Sequence, residues 1–350
     1  MTYKFKISAL AITSLLLSAS VFAGNEDRVG QSGANELIIN PWVRSAGWMN
    51  CNTSSVRGLE AQYLNVAGTA FTKKTEVGFS HTNWLKGTGI SINSFGITQH
   101  VGESGALTLG IMSMDFGNIE ITTPELPEGG IGTYKPQFLN VGLSYAKAFS
   151  NSIYGGLTIK IISESVADVR ASGIAFDAGI QYVTGFNKEK DNLRFGIALK
   201  NVGAPLNFKG DGLASKGFTS DQTSLTISQR AERFELPSLV NIGAAYDFKF
   251  LEMHRITLSS TFTSNSFTRD QTAVGLEYGF KKLFAIRAAY SFERKGTSED
   301  ESLNVYSGFG AGITVEAPLG KSGKSIGLDY SYRPTYTFDG THAFGVNFKL

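Results

Sequence analysis

Residues 341–350 read Thr341-His342-Ala343-Phe344-Gly345-Val346-Asn347-Phe348-Lys349-Leu350. In an extended chain successive side chains point to opposite faces. Phe344, Val346, Phe348 and Leu350 therefore share one face, and Ala343, Gly345, Asn347 and Lys349 share the other. The same period of two runs through Val274, Leu276, Tyr278 and Phe280 against Ala273, Gly275, Glu277 and Gly279. It returns in Phe284, Ile286, Ala288, Tyr290 and Phe292 against Arg287, Ala289, Ser291 and Glu293. One face is apolar; the other holds glycine, alanine, hydroxyl and charge. That is a strand pattern, not a helical one.

Worked outward, the period predicts strands near 75–83, 89–100, 106–121, 137–149, 153–165, 172–184, 192–202, 236–250, 255–265, 271–281, 283–294, 304–316, 325–333 and 339–350. The joints Gly102-Glu103-Ser104, Ser150-Asn151-Ser152, the stretch around Glu252 and Lys281-Lys282 are short, whereas 122–136, 203–235 and 295–303 are long. The alternation is imperfect, since Trp84 to Gly87 is brief and 185–191 and 317–324 are of medium length. A two-sheet sandwich also alternates, but it must shield its edges. The expected fold is all-β: a transmembrane antiparallel up-and-down β-barrel of about 14 strands, each needing about 9–11 residues to cross. Strand 89–100 changes phase, with Ile90 and Ile92 on one face and Phe95 and Ile97 on the other, and this predicts a β-bulge there.

Residues 1–23 begin with Lys4 and Lys6, continue with a short apolar run from Ile7 to Leu17, and end in Val21-Phe22-Ala23. This is the form of a secretory signal cleaved after Ala23, and with the strand pattern it predicts residence in the outer membrane. The chain then divides into the signal peptide (1–23), a leader (24–72) and the barrel (73–350). The 350 residues carry 32 Lys+Arg against 30 Asp+Glu, and charged residues are 18% of the total. No basic surplus exists to neutralise phosphates, so nucleic acid is excluded as a partner. The single cysteine, Cys51, excludes an intrachain disulfide and a multi-thiolate metal site.

The inward face of the expected barrel carries Lys160, Asp177, Arg194, Lys200, Asp247, Glu277, Arg287, Glu293, Glu316, Asp329 and Arg333. Mixed signs fit either a polar pathway or a lumen zipped by ion pairs. Inward glycines leave room for something else inside, or for close strand packing. The leader holds Leu37, Ile38, Ile39, Trp42, Trp48, Met49, Leu59, Tyr63 and Leu64, too apolar for a free tail, with a short helix expected over Ser55 to Leu64. It is expected to form a plug or hatch in the lumen, through Trp42, Arg44, Trp48, Leu59 and Asn65. The periplasmic rim is the alternative.

Asn40-Pro41-Trp42-Val43-Arg44-Ser45-Ala46-Gly47-Trp48 and Gly58-Leu59-Glu60-Ala61-Gln62-Tyr63-Leu64-Asn65-Val66-Ala67-Gly68 resemble the leader of the PorV/PorQ family, within the wider fatty-acid-transporter-like barrel class. Arg44, Gly47, Asn65, Ala67 and Gly68 are kept, while Val66 stands where that family usually has proline. The resemblance runs through the mature chain to Leu350. It implies fourteen strands and a non-enzymatic role in the type IX secretion system. The implied partners are the translocon barrel, or exported proteins with C-terminal signal domains, beside outer-membrane lipid. The wider class implies the other reading, uptake of hydrophobic small molecules.

Chemistry is sparse in the sequence. His81, His100, His254 and His342 lack metal-ligand spacing. Gly320-Lys321-Ser322-Gly323-Lys324-Ser325 lacks the earlier glycine of a phosphate-binding loop. Ser80 and His81 are sequence neighbours, so they point to opposite faces. No catalytic residue, metal or cofactor is expected. The loops at 122–136 and 203–235 keep Leu126, Tyr134, Phe208 and Phe218, which are expected to present apolar groups to a protein partner.

Overall fold

A computed structural model describes residues 24–185, 191–250, 253–281, 283–293, 304–320 and 323–350. The signal peptide with its cleavage after Ala23 lies outside the described residues. So do the loop at 295–303, Glu252, Lys282, Lys321-Ser322 and most of the turn at 185–191.

Fourteen antiparallel strands close into one barrel. They are β1 (Thr75–Asn83), β2 (Ser91–Val101), β3 (Gly105–Asp115), β4 (Gln137–Ala148), β5 (Ile153–Val166), β6 (Val169–Thr184) and β7 (Leu193–Gly203). Then come β8 (Leu239–Phe250), β9 (His254–Asn265), β10 (Gln271–Phe280), β11 (Phe284–Glu293), β12 (Phe309–Leu319), β13 (Lys324–Arg333) and β14 (Thr341–Lys349). Each pairs with its neighbour in sequence, and β14 closes the ring on β1, with Val77 opposite Phe348 and Phe79 opposite Val346. Closure leaves no edge strand to protect.

The two faces follow the period of two. Leu157, Ile180, Leu143 and Leu328 point outward and are 65%, 57%, 56% and 55% exposed. Exposed aromatics flank this apolar belt, with Tyr145, Tyr182, Phe195 and Phe248 toward the short turns and Tyr290, Phe292 and Phe309 toward the long loops. An apolar belt between aromatic girdles is how a barrel wall meets lipid. The inward face is small and polar, with Ser94, Thr98, Thr108, Ser144, Thr158, Gln181, Ser259 and Thr261 all buried.

The bulge expected in β2 is absent. Its register with β1 and β3 is unbroken, and Ile92, Ser94, Gly96 and Thr98 all face inward. Ile92 is simply an apolar residue on the inner face. The register instead shifts between β6 and β7, at Phe176 to Ala178. There Asn201 takes a φ of 61° and donates its backbone N–H to Asp177 Oδ1 at 2.8 Å. The strand read as 106–121 ends at Asp115. Beyond it Ile119–Glu120 and Thr133–Tyr134 form a separate small hairpin. The long 203–235 connection contains a second, exposed ribbon, Ala214–Phe218 paired with Ser224–Ser228.

The leader contributes only short helical turns. Val43–Gly47 (α1) and Ala61–Leu64 (α2) are α-helical, and Val66–Phe71 is 3-10. The helix expected over Ser55 to Leu64 is thus confined to its last four residues. Gly58 breaks the preceding stretch with a φ of 73°, a conformation glycine adopts freely.

Candidate functional site

The inner wall and the leader are shaped to each other. A Cβ added at Gly78 or Gly96 would lie 2.7 Å from the Leu59 side chain, and one at Gly275 would lie 2.3 Å from Trp48 Nε1. One at Gly179 would meet Asn65 Oδ1 at 2.2 Å. Glycine on the wall therefore lets the leader approach the strand backbones. Trp42, Trp48 and Leu59 are buried there. Arg44 reaches β13, where its Nε donates to Asp329 Oδ1 at 2.8 Å. Asn65 donates to the carbonyls of Thr53 at 3.0 Å and Ile180 at 3.1 Å, and its Oδ1 accepts the Ala67 N–H. Gln62 donates to Gly142 O at 2.9 Å and Ser144 Oγ at 2.8 Å on β4. Ser259 and Thr261 of β9 both donate to the Cys51 carbonyl.

Charged groups of the lumen are largely paired. Lys160 meets Asp177 at 2.5 Å, Arg287 meets Glu277 at 3.0 Å, and Arg194 is bridged to Asp247. Buried Glu60 sits 3.8 Å from Arg44. Burial is the main force pushing its carboxyl up to about 7; Asp329 adds to this, while Arg44, Arg287 and the Ser45 hydroxyl oppose it.

Space remains on both sides of the leader. Toward the long loops lies a cavity of about 620 Å³. Ile39 of the leader and Trp84, Met114, Phe116 and Phe138 of the wall and its loops line it. Ile92 and Met112 pack behind Met114 in the same cluster. Polar groups also line it, from the leader and from several strands: Glu36, Glu164 of β5, Lys200 of β7, Asn241 of β8, Gln271 of β10 and Arg333 of β13. The Lys200 ammonium sits 3.7 Å from the Tyr63 ring centroid, a cation–π contact. Burial raises the pKa of Glu36. Toward the short turns lies a wider vestibule of about 990 Å³, lined by Arg44, Arg57, Arg194, Arg255 and Arg287 among others. The cavity under the long loops, lined by large apolar side chains with polar groups among them, suits a mostly apolar small molecule.

The four loop residues separate. Leu126 is 51% exposed and Phe218 is 74% exposed, on different loops. Tyr134 is half-buried, opposite Ile119 in the small hairpin. Phe208 turns inward. Its ring packs on Phe234 at 5.7 Å, against the cluster of Leu37, Leu206 and Leu236, and it lines the outer cavity. The loop folds back there because Leu206 and Phe234 exchange both backbone hydrogen bonds. Met112, Met114 and Phe116 were not singled out from sequence. Their signal in the sequence is the apolar inward residue of β2, Ile92, which packs with Met112 and Met114 and imitates a bulge in the strand pattern.

No protein-family model and no curated protein matches the chain. Its fold is that of solved transporter barrels. The Pseudomonas putida toluene transporter TodX superposes with a TM-score of 0.53 at 12% identity, over 85% of this chain and 93% of that one. A FadL homologue from Pseudomonas aeruginosa superposes with a TM-score of 0.52 at 13% identity, over 87% and 96%.

Proposed function

We propose that the chain is an outer-membrane barrel for a hydrophobic small molecule, captured first in the cavity under the long loops. The observation that carries this reading is the apolar chamber of about 620 Å³ at the end of a barrel whose outer wall is itself apolar. The shared fold with a toluene transporter and a FadL homologue supports it. In this reading the signal at 1–23 exports the chain and is cleaved after Ala23. The leader at 24–72 is the plug between cavity and vestibule, so passage requires it to yield. The test is accumulation of a radiolabelled hydrophobic solute by cells producing the protein. Met114→Asp with Phe138→Asp puts charge into the chamber and should abolish uptake, with heat-modifiable gel migration unchanged. Undiminished uptake would remove the chamber from the route.

A second reading is favoured by the exposed ribbon at 214–228, where Phe218, Leu225 and Ile227 are 74%, 48% and 51% exposed. With the leader resemblance, it makes the protein a partner of the type IX translocon barrel or of C-terminal signal domains. Leu126, Tyr134 and Phe218 belong to that reading; Phe208 does not, since it faces the cavity. Changing the three to Ser should reduce co-purification of such a partner at equal surface abundance. Unchanged recovery would exclude these loops as the interface.

A further inference from the structure

Among the described residues, the vestibule at the short turns is lined by twice as many Lys and Arg side chains as Asp and Glu. Most of its acids are already engaged. Asp247 takes Arg194, Glu277 takes both Arg255 and Arg287, and Glu316 takes Lys349 with Arg44 nearby. Arg57 and Lys281 make no close ion pair among the described residues; Asp247 and Asp191 of the same vestibule act on Arg57 only from a distance. Each lies over an aromatic ring instead, Arg57 at 4.2 Å from Phe71 and Lys281 at 5.4 Å from Phe280. Deeper in, Arg194 Nε and Arg287 Nη1 are buried with no hydrogen-bond acceptor among the described residues, on side chains only 5% and 3% exposed.

A concave wall with one sign in excess focuses field and concentrates counter-ions. Met253, Leu283 and Phe284 stand among the cations, so the lining is not uniformly polar. At about 990 Å³ the space is at the upper end for a small-molecule site. We infer that this vestibule binds an organic anion, an oxyanion group carried on an apolar body, with Arg57 and Lys281 as the cations that meet it. This goes beyond the outer cavity, whose lining selects for apolar bulk, and adds a separate site of opposite character at the other end of the lumen.

The experiment titrates benzoate and its neutral counterpart benzyl alcohol into the full-length protein in nonionic detergent, read by calorimetry and saturation-transfer NMR. Benzoate should bind about tenfold more tightly than benzyl alcohol, and added salt should weaken benzoate alone. Arg57→Ser with Lys281→Ser should reduce benzoate affinity about tenfold, while Arg57→Lys alone, which keeps the charge, should hold it near wild type. Neither residue is in a close ion pair among the described residues, and heat-modifiable migration checks that each variant is folded. Equal affinity for benzoate and benzyl alcohol, or benzoate binding unchanged in the double variant, would overturn the inference. Binding here requires no passage through the barrel, so either result leaves the uptake reading to its own test.

Discussion

Glu60 shows what enclosing the leader does to a single side chain. Its carboxyl is shifted from an ordinary 4.5 to about 7, chiefly because water is gone. A raised carboxyl pKa means the enclosed state holds a proton that the released or unfolded chain gives up. Docking of the leader is therefore strongest below about pH 4.5, weakens as pH rises toward 7, and is level above that. Glu36, also raised by burial, acts in the same direction. Thermal unfolding followed between pH 4 and 8 should show stability falling with pH, by up to about one proton per molecule from Glu60. Glu60→Gln should remove that part and leave the share of Glu36; an unaltered slope would contradict the assignment. Ile92 teaches the complementary lesson. From sequence, an apolar residue on the wrong phase reads as a displaced backbone, because a strand pattern records only which residues share a face. What fills the space beyond that face is set by residues far away in the chain, here Ile39 and Phe138.

At the scale of elements, strands were legible and loops were not. The ends of β1, β4, β5 and β10 fall within one residue of the sequence reading, since turn residues mark them. The ribbon at 214–228 was invisible because both its faces are exposed, so no burial pattern marks its register. The leader's turns were equally hard to read, as they are held by the wall and not by helix propensity. Asn65→Ala should loosen this element by about 1–3 kcal/mol, the usual cost of leaving buried partners unpaired, seen as faster proteolysis within 24–72 of the native protein. Gly275→Val should have a larger effect, since its first side-chain atom would occupy the position of the Trp48 ring edge. Resistance to proteolysis equal to wild type in both variants would mean that the leader does not depend on these contacts.

For the whole molecule, lipid on one side and the leader on the other define the barrel. Along β11, Ile286 points outward at 50% exposure, while Ser291 lines the outer cavity. Ile286→Lys should destabilise the barrel by about 2–4 kcal/mol if it lies near the bilayer midplane. Ser291→Lys, whose charge can reach cavity water, should be close to neutral. Reversible unfolding in lipid vesicles compares the two, and equal costs would refute the assigned faces. The glycine wall has one more consequence, for the order in which the molecule is made. A barrel whose inner face lacks side chains at Gly78, Gly96, Gly179 and Gly275 is hollow wherever residues 42–65 stand. Once β14 has sealed against β1, no gap between paired strands remains for those residues to enter from the side. Only the end at the short turns is then left for entry, so the leader is placed most directly while the ring is still open and the strands assemble around it. A separate peptide of residues 24–72 should then restore a barrel lacking its leader more fully when both are refolded together than when it is added after the ring has formed.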